Sequence, residues 1–314
     1  MKPEGRIITV GLSPAWDVRC RGRGLDWGLH AEIDEQVIRP AGKALNVSSA
    51  LAWMGCASIA AGLWGSEDHE QMCRIVARWG GHVRVRMTRA EGRTRLNVTV
   101  ADTRGGREMH LRKRSELASA SSLARLRRDL CRLIGRDDIC VFAGAMPAGP
   151  LLDPVLACVE ACRERGARLA LDTHGPVLKA VVDAQMAWLI APNVEELSEL
   201  LGSPIPDTTA KLASAGRSLL GKVEIVLCSR GKKGAMVVTK DGLWSGHATG
   251  RGRVIETVGC GDYLLAGFLA AVAEKRPVRT ALGQALTVAT ARAYGWSDTH
   301  TWARARRKLA VQVL

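Results

Sequence analysis

The 314 residues are 47% hydrophobic, enough to bury a large core as one α/β domain or one domain carrying a smaller appendage. A net charge of +14 raises the question of nucleic acid, yet Lys and Arg are scattered, and HLRKRSE at 110–116, the densest cluster, has no aromatic residue for stacking bases. No apolar run approaches the roughly 18 residues that cross a bilayer, and the start MKPEGRIITVGL lacks a long secretory apolar stretch, so the reading is a cytoplasmic protein with neither nucleic-acid nor membrane partners.

In chain order, apolar β-rich runs alternate with helix-period segments, the pattern of a mostly parallel sheet covered by helices. RIITVGL (6–12) reads as the first strand, KALNVSSALAWMG (43–55) as a helix ending at glycine, ASIAAGLWG (57–65) as a strand and EQMCRIVARWG (70–80) as a helix. Two stretches break this alternation. Residues 13–40 hold no convincing helix, and 82–114 read as three successive strands with turn signals between them. Together they are expected to form a small β-sheet standing off one 314-residue domain, a natural lid. Alternation then resumes with helix 121–134, strand 139–145, helix 151–165, strand 167–173, helix 176–184, strand 187–193 and helix 194–202. A helix at 208–221, strand 224–229, a hairpin at 234–248 and a helical end complete the chain. The nine cysteines are odd in number and contain no C-x-x-C pair, which argues against a disulfide framework or a zinc site. Cys158 and Cys162, four apart in a helix, read as packing residues.

ETVGCGDYLLAGFLAA (256–271) opens a helix with Gly259, Cys260, Gly261 and Asp262. The first N–H groups of a helix have no internal partner and carry partial positive charge, so an anion fits there, and glycines let it approach closely. Asp262 would repel a phosphate unless it caps the helix or takes a proton from an attacking hydroxyl. Other polar turns follow strands, where open α/β sheets bind ligands. RPAGKALNV (39–47) puts Gly42 and Lys43 at a helix start with Asn46 one turn on; a solvated lysine is the plainer alternative, and no P-loop is present. SPAWDV (13–18) offers Asp17, either a plain loop acid or an acceptor for sugar hydroxyls. In APNVEEL (191–197), Asn193 and Glu196 suit an N-cap with its capping-box acid, or a water-mediated magnesium site.

These turns, taken in order, resemble the ribokinase-like sugar kinases of the phosphofructokinase-B type. ETVGCGD is similar to D-T-x-G-A-G-D, SPAWD to the N-P-A-x-D of the 1-phosphofructokinase and tagatose-6-phosphate kinase branch, and PAGKALNV to P-G-G-K-G-x-N-V. GRTRLNV (92–98) resembles T-R-x-N, AGAMPAG (143–149) S-G-S-x-P-x-G, LDTHG (171–175) x-D-x-S-G, APNVEEL K-P-N-x-x-E-L, and CSRGKKGAM (228–236) S-x-G-x-x-G-A. The resemblance implies a three-layer α/β/α fold with a small β-sheet lid that often forms the dimer contact, so a homodimer through it is compatible. It implies an ATP- and Mg²⁺-dependent kinase of a ketohexose phosphate, with fructose 1-phosphate first and tagatose 6-phosphate and fructose 6-phosphate as competitors. Asp262 would be the base, and the amides of Gly259, Cys260, Gly261 and Asp262 the anion hole. Asp17, Gly42, Lys43, Asn46 and Arg95 would hold the sugar phosphate. Asn193, Ser229, Gly231 and Gly234 would border ATP, and Glu196 would sit near the metal.

The departures are Glu256 for Asp, Cys260 for Ala, Tyr263 for Ser, alanines at 41, 44 and 145, and Ala191 for a lysine before Pro-Asn. Those at 41, 44, 145, 191 and 263 support a second reading, a catalytically weak sugar-phosphate binder, against which the intact Asp262 and its glycines speak. A dinucleotide-dependent oxidoreductase fits only the alternation, since no G-x-G-x-x-G follows the first strand.

Overall fold

Strands buried on both faces read as unbroken apolar runs, and successive side chains still point to opposite sides. In β1 (Ile7–Gly11), Ile8 and Val10 enter one core while Ile7 enters another. The protein is described here by a computed structural model covering residues 5–28, 30–250 and 252–314. Residues 1–4, Leu29 and Arg251 lie outside the described residues, and with them parts of the amino-terminal stretch and of the 13–40 segment read above.

After β1 come β2 (Ala15–Gly22), β3 (Glu35–Ala41), α1 (Lys43–Trp53), β4 (Ser58–Gly65), α2 (His69–Val76), β5 (Val83–Ala90), β6 (Leu96–Asp102) and β7 (Arg107–Arg112). The middle of the chain forms α3 (Ala120–Leu133), β8 (Ile139–Ala143), α4 (Leu152–Glu164), β9 (Arg168–Asp172), α5 (Gly175–Asp183), β10 (Leu189–Ile190), α6 (Val194–Leu201) and α7 (Thr209–Leu219). The remainder forms β11 (Ile225–Ser229), β12 (Ala235–Thr239), β13 (Gly242–Ala248), α8 (Cys260–Ala273), α9 (Val278–Ala293), α10 (Trp296–Thr299), α11 (Trp302–Lys308) and β14 (Val311–Val313).

A ten-stranded sheet runs in the order β14-β13-β12-β11-β10-β9-β8-β1-β4-β5. It is parallel from β11 to β5, and β12, β13 and β14 add antiparallel strands at the other edge. On one face α3, α4, α5, α6 and α7 cover Ile8, Val10, Cys140 and Phe142; on the other, α1, α8 and α9 cover Ile7, Ile139 and Val141. This is the three-layer α/β/α arrangement with its mostly parallel sheet. Cys140, Cys158 and Cys162 are buried packing residues. β1 lies between β4 and β8, so the chain winds outward in opposite directions from it, and a crevice opens beyond the carboxyl ends of these strands.

A four-stranded sheet, β3-β2-β6-β7, stands beside that crevice. The expected three strands of 82–114 are divided between the two sheets: Val83–Ala90 pairs in parallel with β4 at the edge of the large sheet, and only β6 and β7 join β2 and β3. The physical reason is the edge position. Arg84 and Arg86 of β5 are exposed while Val83 is buried and Val85 and Met87 are half-buried, so the first part of this strand alternates like one from a free-standing sheet. Asp68 anchors the root of the small sheet, accepting Trp16 Nε1–H at 2.8 Å and both the N–H and hydroxyl of Thr94 at 3.1 and 3.0 Å. The expected helical end is also modified, since after α11 the chain adds β14 to β13.

No helix among the described residues is long and apolar enough to cross a membrane.

Candidate active site

α8 starts without a side-chain cap. Gly259 occupies the N-cap position at φ 82°, a left-handed conformation that a side chain disfavours. The first-turn amides point out of the helix with no intrahelical acceptor. At Gly261, which lines the cavity, an added Cβ would meet nothing within 4 Å.

Asp262 lies in this first turn, is 4% exposed, and does not cap its own helix. Its Oδ2 instead accepts a 2.7 Å hydrogen bond from Asn46 Nδ2 of α1. The capping alternative is thereby excluded. Burial pushes the carboxyl up to about 7, and the negative charge of Asp172 adds to the rise, while the Asn46 hydrogen bond, Lys43 and Arg292 oppose it. Such a group is poised to exchange a proton near neutral pH.

Lys43 is the first residue of α1, with Gly42 at the N-cap. Its Nζ contacts Asp172 Oδ1 at 2.7 Å and lies 3.8 Å from Glu196 Oε1. Burial opposes the ammonium charge, yet the nearby Asp172, Glu196 and Asp262 carboxylates hold its pKa above the ordinary lysine value. Lys43 thus already balances an acid cluster, and Asn46 is engaged with Asp262.

Arg95 donates to the carbonyls of Ser13, Pro14 and Lys113, bracing the small sheet against the end of β1, and burial followed by the charge of Arg112 depresses its pKa. Asp17 on β2 accepts from Asn97 Nδ2 of the adjacent β6 at 3.0 Å. Asn97 Oδ1 is buried and has no hydrogen-bond partner. Arg112 of the basic cluster lines the same cavity.

Asn193 and Glu196 form a reciprocal capping box on α6: Asn193 Oδ1 accepts from Glu196 N at 2.8 Å, and Glu196 Oε2 from Asn193 N at 2.9 Å. The other oxygen, Oε1, has only long approaches, to Lys43 and to His174 Nδ1 at 4.0 Å. Ser229 at the end of β11 bridges to Asn193.

All these groups converge on one cavity of about 480 Å³ at the carboxyl ends of the parallel strands. It is lined by Asp17, Gly42, Lys43, Asn46 and Arg95 on the small-sheet side, by Asn193, Glu196 and Ser229 on the other, and by Gly259, Gly261 and Asp262 between them. Three expected residues are not among its lining. Cys260 turns its thiol to the Glu256 carbonyl, and burial pushes that thiol up to about 11, so it stays protonated and contributes no acid or base near neutral pH. Gly231 belongs to the exposed turn after β11. Gly234 is required by packing, because a Cβ there would lie 2.0 Å from the Gly246 carbonyl oxygen on β13.

Asp172, Asn97 and Arg292 were not singled out as site residues. Asp172 ends β9 inside LDTHG, a turn whose position after a strand was its signal. Asn97 follows Arg95 by two residues in the T-R-x-N-like turn. Arg292, late in α9, had no local signal.

Residues 17–294 match the pfkB family of carbohydrate kinases. The 1-phosphofructokinase of Vibrio cholerae is 26% identical over 262 residues, covering 83% of this chain and 81% of that protein. That of Bacillus subtilis is 25% identical over 288 residues, 92% of each chain. Among solved structures, phosphofructokinase-2 from Escherichia coli in complex with fructose-6-phosphate superposes with a TM-score of 0.83 at 20% identity, covering 97% of this chain and 99% of that one.

Proposed function

The chain belongs to the pfkB family of carbohydrate kinases, and on that premise we propose that it phosphorylates a ketohexose phosphate, with fructose 1-phosphate going to fructose 1,6-bisphosphate as the first candidate. The observation that carries this reading is Asp262: buried, not capping its helix, fixed by Asn46, and set beside unpartnered amides at a glycine-opened helix start. In the proposed reaction Asp262 takes the proton of the acceptor hydroxyl as that oxygen bonds to the terminal phosphorus of ATP, and ADP leaves. The amides of Gly259, Gly261 and Asp262 receive the charge of the phosphoryl oxygens. Asn46 orients the base.

Asp17, with Asn97 behind it, accepts sugar hydroxyls, and Gly42 permits close approach at the start of α1. Arg95, Arg112 and Lys43 are the cations on the cavity wall that favour an acceptor already carrying a phosphate. Asn193 and Ser229 form the nucleotide side. A carbohydrate kinase takes its phosphoryl group from ATP, generally with Mg²⁺. Glu196 suits the metal because it lines the cavity and its Oε1 has no donor closer than 3.8 Å, as an outer-sphere carboxylate does. Bound Mg²⁺ would neutralise nucleotide phosphate charge.

The small sheet is the proposed lid, since it carries Asp17 and Arg95 to the acceptor side. Its opposite face leaves Ile38, Leu96 and Leu111 exposed, which supports a second copy docking there. Light scattering tests this: a dimer is expected, and a monomer at assay concentration would remove it.

The activity is tested by ³¹P NMR of fructose 1-phosphate with MgATP. A second sugar phosphomonoester formed together with ADP is expected. ATP hydrolysis without a new phosphomonoester, or no reaction while fructose 6-phosphate or tagatose 6-phosphate is consumed, would change the substrate.

A further inference from the structure

The described residues of 249–259, leading into α8, contain neither helix nor strand, and Val254, Ile255 and Val258 are exposed. Something other than apolar packing must therefore set the path of the chain as it enters the glycine turn. Midway along, the N–H groups of Ile255 and Glu256 both reach the Ala293 carbonyl, at 2.8 and 3.1 Å. Charged side chains fix the rest. Glu256 Oε1 accepts the Val258 N–H at 3.1 Å, and the buried Arg292 donates from Nε to the Val258 carbonyl at 3.3 Å. Both backbone polar groups of Val258, the residue before Gly259, are thus held. Arg292 also stacks over Tyr263, with Cζ 5.4 Å from the ring centroid, and reaches Asp298 at 3.4 Å.

The third charge comes from the other sheet. Glu256 Oε2 accepts from Arg19 Nη1 at 2.8 Å and lies 3.6 Å from Arg292 Nη2. Arg19 sits two residues beyond Asp17 on β2, on the same face, because side chains alternate along a strand. The small sheet therefore cannot shift Asp17 without also shifting the guanidinium that holds Glu256.

We propose that Glu256 and Arg19 are positioning residues: their ion pair ties the glycine turn of α8 to the small sheet, so that the anion-binding amides are set in place only when Asp17 is in place over the cavity. The proposal rests on the kinase reading above. It explains the extra length of Glu256 over the aspartate expected there, since the longer side chain spans between the turn and β2.

A merely structural ion pair would have a different signature. Removing Arg19 leaves Glu256 still neutralised by Arg292, so little stability should be lost, whereas the geometry of the turn should change. The test compares Arg19→Ala, Arg19→Lys, Glu256→Gln and the Arg19→Ala/Glu256→Gln pair. Hydrogen exchange is followed in peptides covering 254–262, and kcat and KM are measured with MgATP and the best sugar phosphate.

In Arg19→Ala and in Glu256→Gln, exchange should quicken and kcat should fall about ten- to a hundredfold with KM for ATP unchanged, the scale expected when catalytic groups are misplaced. Arg19→Lys should recover part of the loss, and the double variant should be no slower than Glu256→Gln. Multiplying losses in the double variant, or unaltered exchange in Arg19→Ala, would overturn the tie. Absence of turnover by the unmodified protein on every sugar phosphate would instead refute the kinase reading, and the exchange data would still decide the tie.

Discussion

Replacing Asp262 by Asn keeps the shape of the side chain and removes its ability to accept a proton. The structure makes two opposite demands of this position. In its charged form the buried carboxylate is disfavoured: a pKa raised from 3.8 to about 7 corresponds to about 4 kcal/mol against the charged folded state. Because the folded protein holds this proton more tightly than the unfolded chain, the cost is absent below pH 4, grows as pH rises through the intervening range, and is fully present above about 7. Asp262→Asn should therefore melt no lower than the unmodified protein at pH 5 and roughly 10 °C higher at pH 8, given about 2–4 °C per kcal/mol for a chain of this order of size. Activity should move the other way. Loss of a general base removes about 10²–10⁴ in kcat, or roughly 3–5 kcal/mol of transition-state stabilisation. Differential scanning fluorimetry from pH 5 to 8 alongside coupled ADP release reads both. A variant within a few-fold of normal kcat, or one that is inactive because it melts lower at pH 8, would refute the reasoning.

The unmodified enzyme should gain kcat/KM as pH rises toward about 7 and then level off, since Asp262 must be deprotonated to act; a flat profile from pH 5.5 to 8 would remove it as the base. Lys43→Met deletes a charge that holds the Asp262 pKa down, so that rise should move to higher pH, and an unmoved midpoint would show that the two groups are not coupled. Arg95→Ala, which frees the carbonyls of Ser13, Pro14 and Lys113, should raise KM for the sugar phosphate more than KM for ATP; equal changes would mean that Arg95 does not serve the acceptor side. Gly259→Ala forces a side chain to φ 82° at a cost of about 1–2 kcal/mol and should lower kcat together with Tm, and a normal kcat would show that the turn tolerates the change.

The parallel strands were legible because each is an apolar run bounded by turn residues, and the helices because their apolar periods end at glycine or a polar cap. Legibility failed at the edges of the large sheet. HVRVRMT (82–88) alternates like a strand with one wet face, a property of any edge, so nothing local separated β5 from the small sheet. β14 is three residues long, too short to carry a period.

In the cavity, turns after strands supplied Asp17, Lys43, Asn46, Asn193, Glu196, Ser229 and Asp262, and the fold gathers all of them. What the sequence could not express was pairing. Asn46 and Asp262 are 216 positions apart and Arg19 and Glu256 are 237 apart, so neither the orientation of the acid nor the tie between the sheets has a local signature. Gly234 shows the reverse failure: a glycine in the right motif is there because two backbones touch.

The central claim, phosphoryl transfer to an already phosphorylated ketohexose, is tested most directly by initial rates of ADP release with MgATP and, in parallel, fructose 1-phosphate, fructose 6-phosphate, tagatose 6-phosphate, free fructose and ribose. The account expects one sugar phosphate to be turned over with a kcat/KM far above that of either free sugar. Equal or better turnover of a free sugar, or silence across the panel while sugar phosphates still raise the melting temperature, would contradict it.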